Sequence, residues 1–176
     1  MSNLLLNEYQ NGAVSLAIYP GTLVYPALGL CGEVGELIAA VKENGLDNIK
    51  KETGDCLWYI ANIAADMNIS LSEIMGRENF YKTCRDCWSI DKSLSELAIY
   101  AGVVAENVKK AIRDNDGMVT ADRHDNIVKA LRLLVTWLER LCSCYGVTLE
   151  ECAQLNLNKL RSRAERGVLK SDGDAR

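Results

Sequence analysis

In the stretch GLCGEVGELIAAV, residues 29–41, two carboxylates stand three positions apart among residues that are otherwise apolar or small, and the fold turns on how that stretch is read. Leu37, Ile38 and Val41 recur at helical spacing, and on a helix Glu33 and Glu36 lie one turn apart on one face. Downstream, KKETGDCLWYIANI at 50–63 repeats the arrangement with Glu52 and Asp55, and Leu57, Ile60, Ala61 and Ala64 again keep the helical period. Only the short NGLD turn separates the segments, so they are predicted to be antiparallel neighbours across which four carboxylates converge.

The rest of the chain extends this reading. Both prolines, Pro20 and Pro26, fall in the first 26 residues, and nothing after them forbids long helices. Leu131, Leu134, Val135, Leu138 and Leu141 mark another helical stripe, and few stretches alternate with period two, so the fold class is all-α. Ser70 with Glu73, Ser93 with Glu96, and Thr148 with Glu151 have capping-box spacing, which predicts three helix starts. Asn44-Gly45 and Asn115-Asp116-Gly117 predict turns.

An internal repeat is expected as well. NISLSEI at 68–74 matches GVTLEEC at 146–152, and CGEVGELIAAVKEN at 31–44 can be laid on AGVVAENVKKAIRD at 101–114. The chain then divides into units 1–90 and 91–176 that share one compact helical bundle.

Composition bounds the function. The chain has 176 residues, 48% hydrophobic and 25% charged, enough for a sizeable core without staples. A formal charge of -4 and a pI near 5.1 argue against a nucleic-acid or anionic-membrane partner. No apolar run approaches ~18 residues and MSNLLLNEYQ lacks a basic segment, so neither a membrane span nor a signal peptide is expected and the default location is the cytoplasm. Seven cysteines, an odd number, fit reduced thiols better than a disulfide framework. Cys84 and Cys87 have zinc spacing, but no second such pair answers them and His124 is the one histidine.

An acid pair at this spacing is ordinarily a solvated helix face. Here Leu37, Ile38, Leu57 and Trp58 adjoin the acids, and Gly35 and Gly54 accompany them where a helix-interior glycine costs ~1 kcal/mol against alanine. Four converging carboxylates repel one another, and a bound divalent cation removes the conflict. All-oxygen ligation suits Mg²⁺, with Mn²⁺ able to substitute, whereas a di-iron bundle needs Glu-x-x-His pairs, which this chain lacks.

GLCGEVGEL followed by KETGDCLWYIANIAADMNISLSEI resembles the E-x-x-E and E-x-x-D signature of the MazG-like all-α nucleotide pyrophosphohydrolases, relatives of HisE and the dimeric dUTPases. NEYQNGAVSLAIYP and the C-terminal segment from Cys152 are similar to the two ends of compact, phage-type members. The resemblance implies a bundle of two MazG-like units, the second degenerate, that forms a homo-oligomer, a dimer giving a pseudo-tetrameric bundle. It implies metal-dependent hydrolysis of a nucleoside triphosphate to monophosphate and pyrophosphate in the cytoplasm, that of the host for a phage protein. The metal ligands would be Glu33, Glu36, Glu52 and Asp55, with Glu36 doubling as general base. Asn156, Lys159 and Arg163 would contact the phosphates, and the metal would offset charge and lower the pKa of an attacking water. Of the bases, a guanine nucleotide such as dGTP is expected on the phage association alone.

The second unit departs from the pattern, with Val103, Ala130 and Leu133 where the first has Glu33, Glu52 and Asp55, leaving only Glu106. Conversely, the first has Glu78 and Tyr81 where the second has Asn156 and Lys159. The expected site is therefore composite, acids from one half and phosphate contacts from the other, with Lys110 and Arg113 as further cations. Trp58, Tyr59, Tyr19 and Asn62 are open to two readings, base contact or core. A catalytically inactive nucleotide- or partner-binding module is the competing function.

Overall fold

The computed structural model describes residues 3–75 and 89–169. Among them are seven helices and no strand: α1 (Asn3–Ser15), α2 (Val24–Lys42), α3 (Leu46–Asp66), α4 (Leu71–Met75), α5 (Ile90–Asn115), α6 (Ala121–Cys144) and α7 (Leu149–Glu165). The turns stand where the Asn-Gly signals put them. Asn44 and Asp116 take the left-handed conformation (φ 54° and 53°), closing the α2–α3 and α5–α6 hairpins. Two capping boxes form, at Ser70–Glu73 and Thr148–Glu151. The third does not: Ser89 caps α5 by accepting from the Lys92 amide, and Ser93 lies one turn inside the helix, bonded back to the Ser89 carbonyl.

Leu30, Leu37, Ile49, Leu57, Ile60 and Leu134 are fully buried in one continuous core, each contributing roughly 1.5–3 kcal/mol. Helix α7 lies along α3, while α4 packs on α6. Helices α2 and α5 also pack together, where the Cys31 thiol meets the Ala101 carbonyl at 3.7 Å. These are the first positions equated when the two segments are overlaid. Contrary to the expectation that no apolar run approaches ~18 residues, α2 is by length and average composition apolar enough to cross a bilayer; in the bundle its Leu30, Val34 and Leu37 are buried.

The short helix α1 lies over α3, α4 and α7. Gln10 ties it down, donating to the Ala61 and Ile69 carbonyls while its oxygen accepts the Leu71 amide. Buried polar groups so satisfied fix one docking geometry.

Candidate active site

The α2–α3 hairpin brings carboxylate oxygens of Glu33, Glu36 and Glu52 within 4.8 Å of one another. Burial is graded, with Glu52 buried, Glu33 half-buried and Glu36 exposed. One oxygen of Glu52 accepts from Lys51 at 3.0 Å; the other, Oε2, is buried and has no hydrogen-bond partner. An unsatisfied carboxylate oxygen in the interior is costly. Burial first, then the charges of Asp55, Glu36 and Glu52, push the Glu33 pKa up to about 8, with Lys159 acting against them.

Asp55, the fourth expected ligand, is not part of that triad; it is held by α7. Asn156 donates to its Oδ1 at 2.7 Å, and the Lys159 ammonium reaches Oδ1 at 2.6 Å and Oδ2 at 2.5 Å. Both residues, expected on phosphates, thus stand on an acid in this structure. Their approach depends on Gly54: a Cβ there would sit 2.7 Å from the Cys152 carbonyl oxygen and 2.9 Å from the Asn156 Cβ. Gly35 has no such role, since a Cβ would meet nothing within 4 Å.

Trp58 is half-buried and donates its indole N–H to the Ala13 carbonyl at 3.2 Å, so its polar end is committed to α1. It packs edge-on against Tyr59 and Tyr19, and Tyr19 stacks on Tyr25 at 4.9 Å. Tyr19 also donates to Asp66, and Asn62 to the Trp58 carbonyl. Burial and then Tyr25 push the Tyr59 pKa up, and the charges of Glu33 and Asp55 add to this, so the aromatic cluster adjoins the acids. Gly29 makes room for it: a Cβ would lie 2.1 Å from the Tyr59 ring.

Arg163 lies one turn beyond Lys159 on α7 and is half-buried. Lys110 and Arg113 are paired near their own helix, Lys110 with Glu106 at 3.3 Å and Arg113 with Asp114 at 2.6 Å. In the second half, Ala130 is buried and Val103 and Leu133 pack against the core, while Glu106 is neutralised by Lys109 and Lys110. Cys84, Cys87, Glu78 and Tyr81 lie outside the described residues.

Three participants are not apparent from residue spacing. Lys51 sits on Glu52, Gly29 accommodates Tyr59, and Tyr9 of α1 donates to Asn156. The polar run NEYQN inside an otherwise apolar helix was the available signal for the last.

The donor set fits a hard divalent cation: oxygens alone, a shared cluster, and a buried oxygen lacking any other partner.

Residues 26–80 match the family of the MazG nucleotide pyrophosphohydrolase domain. The chain is 34% identical over 115 residues to the "Gene 37 protein" of Mycobacterium phage L5, a match spanning 62% of this chain and 100% of the relative. No solved structure matches the chain.

Proposed function

Because the chain belongs to the MazG-like family of all-α nucleotide pyrophosphohydrolases, we propose that it hydrolyses a (deoxy)nucleoside triphosphate to the monophosphate and pyrophosphate, with Mg²⁺ held by Glu33, Glu36, Glu52 and Asp55. The observation that carries the reading is the acid triad with the orphaned Oε2 of buried Glu52. When bound, the cation offsets the charge that develops on the phosphate oxygens and makes a water molecule more acidic.

The chain's own residues supply the rest. Glu36, the exposed acid, takes the proton of the attacking water as general base. Glu33 is mostly protonated near neutral pH in metal-free protein and would have to release that proton to serve as a ligand. Lys159, with 23% of its side chain exposed, turns from Asp55 to the phosphates, and Arg163 extends the cationic track along α7. Asn156, buried and bonded at both ends of its amide, stays on Asp55. Lys110 and Arg113 are left out of this assignment, being paired with Glu106 and Asp114. The rings of Tyr19, Tyr25, Trp58 and Tyr59 form the wall nearest the base, and a guanine nucleotide such as dGTP is the first substrate to try.

The test is metal removal. After stripping with EDTA, activity should vanish, and Mg²⁺ or Mn²⁺ alone should restore it without zinc or iron. Full turnover by metal-free protein contradicts the proposal.

A further inference from the structure

Tyr9 is 3% exposed, yet it carries a hydroxyl into the contact between α1, α3 and α7. That hydroxyl lies 3.0 Å from Asn156 Oδ1 and 3.3 Å from the Gly54 carbonyl oxygen. One phenolic proton serves one acceptor at full strength, and the shorter contact assigns it to Asn156. Burial, reinforced by the charge of Asp55, holds the phenol's pKa up, so it remains a donor.

Asn156 is itself 3% exposed, and its amide has two possible orientations that differ by exchange of nitrogen and oxygen. With the oxygen accepting from Tyr9, the nitrogen donates to Asp55 Oδ1. Turned over, the amide would aim its oxygen at the carboxylate and lose a charge-assisted hydrogen bond. Asp55 Oδ1 then accepts from both Asn156 and Lys159, and Oδ2 from Lys159 alone. Counting two lone pairs on each oxygen leaves one uncommitted, on Oδ2, and Oδ2 is wholly free once Lys159 turns to the phosphates while Asn156 keeps Oδ1.

From this chain of hydrogen bonds we infer that Tyr9 is a positioning residue: it sets the Asn156 amide, and the amide fixes Asp55 so that the spare Oδ2 lone pair is held in one direction for the cation. The inference rests on the metal site proposed above. It gives α1, which carries none of the four acids, a part in the chemistry.

A double-mutant cycle tests it, using Tyr9→Phe, Asn156→Ala and the pair in the full chain. Mn²⁺ affinity is read by electron paramagnetic resonance, kcat/KM on the nucleotide, and melting temperature alongside. Tyr9→Phe keeps the ring and its packing, so it should weaken Mn²⁺ binding and lower kcat/KM, each about tenfold. In the Asn156→Ala background the same change should cost nothing further in either quantity. A lowered melting temperature with Mn²⁺ affinity unchanged overturns the inference, as does an equal loss in both backgrounds. If the wild-type chain hydrolyses no nucleotide, the hydrolase reading fails, and the Mn²⁺ measurements still decide the role of Tyr9.

Discussion

Glu33 is where the cost of gathering the acids is concentrated. Its pKa rises from the ordinary 4.5 to about 8, so the folded chain keeps a proton that the unfolded chain has lost. Since stability falls with pH wherever the folded state binds more protons, Glu33 makes metal-free protein less stable from about pH 4.5 to about pH 8, and the effect levels off above that. Melting temperatures across that range should therefore decline more steeply in the wild type than in Glu33→Gln, and saturating Mg²⁺ should flatten the wild-type slope. Parallel slopes in wild type and variant, both metal-free, would remove Glu33 from this account. The other acids divide by their partners. Glu36→Gln relieves repulsion, so its metal-free melting temperature should hold or rise. Asp55→Asn strips Lys159 and Asn156 of their carboxylate and should cost about 1 to 3 kcal/mol. Both variants should lack activity; thermal denaturation with a turnover assay checks the pair, and a stabilised Asp55→Asn would contradict the ion-pair assignment.

At the scale of elements, the contact of α3 with α7 positions the site, and two glycines of similar sequence context behave oppositely. Gly54→Ala places a methyl against the Cys152 carbonyl and Asn156, so it should push α7 away, lowering melting temperature and activity together. Gly35→Ala meets nothing within 4 Å and should stabilise by about 0.5–1 kcal/mol, the ordinary gain from replacing a helix-interior glycine. Chemical denaturation of both variants checks this, and matching effects would mean that close approach does not decide either. The two residues also mark what was legible in the sequence. Helical period, the Asn44 and Asp116 turns, two capping boxes and the four acids are local features, visible within a few residues of each other. What Gly54 makes room for lies about a hundred positions away, as do the Asn156 and Lys159 partners of Asp55, separated from it by 101 and 104 residues. The Tyr9–Asn156 bond spans 147 positions, and no spacing rule reaches that far. Ser93 misled because its capping-box spacing is genuine, but Ser89 one turn earlier offers the same chemistry with extended backbone at φ -116°, ψ 158°.

Across the whole molecule, Asp55 and the residues that hold it, Asn156 and Lys159, come from different halves of the chain. In the second half Ala130 lies in the core with Val103 and Leu133 packed against it, and this half supplies α7 to the first. Residues 1–90 alone should therefore be inactive, since Asp55 would have neither Asn156 nor Lys159; turnover by that fragment equal to the full chain would reduce α5–α7 to scaffold. Lys159→Ala in the full chain should lower kcat/KM by roughly one to two orders of magnitude, a charge-assisted contact to phosphate being worth roughly 1.5–3 kcal/mol. The central claim is the reaction itself, and product analysis reaches it most directly: a panel of ribo- and deoxyribonucleoside triphosphates is incubated with the full chain and Mg²⁺, and phosphorus products are resolved. Nucleoside monophosphate and pyrophosphate in equal amounts, absent in Glu36→Gln, is the predicted result. Release of orthophosphate with a nucleoside diphosphate, or no product from any nucleotide, would contradict it.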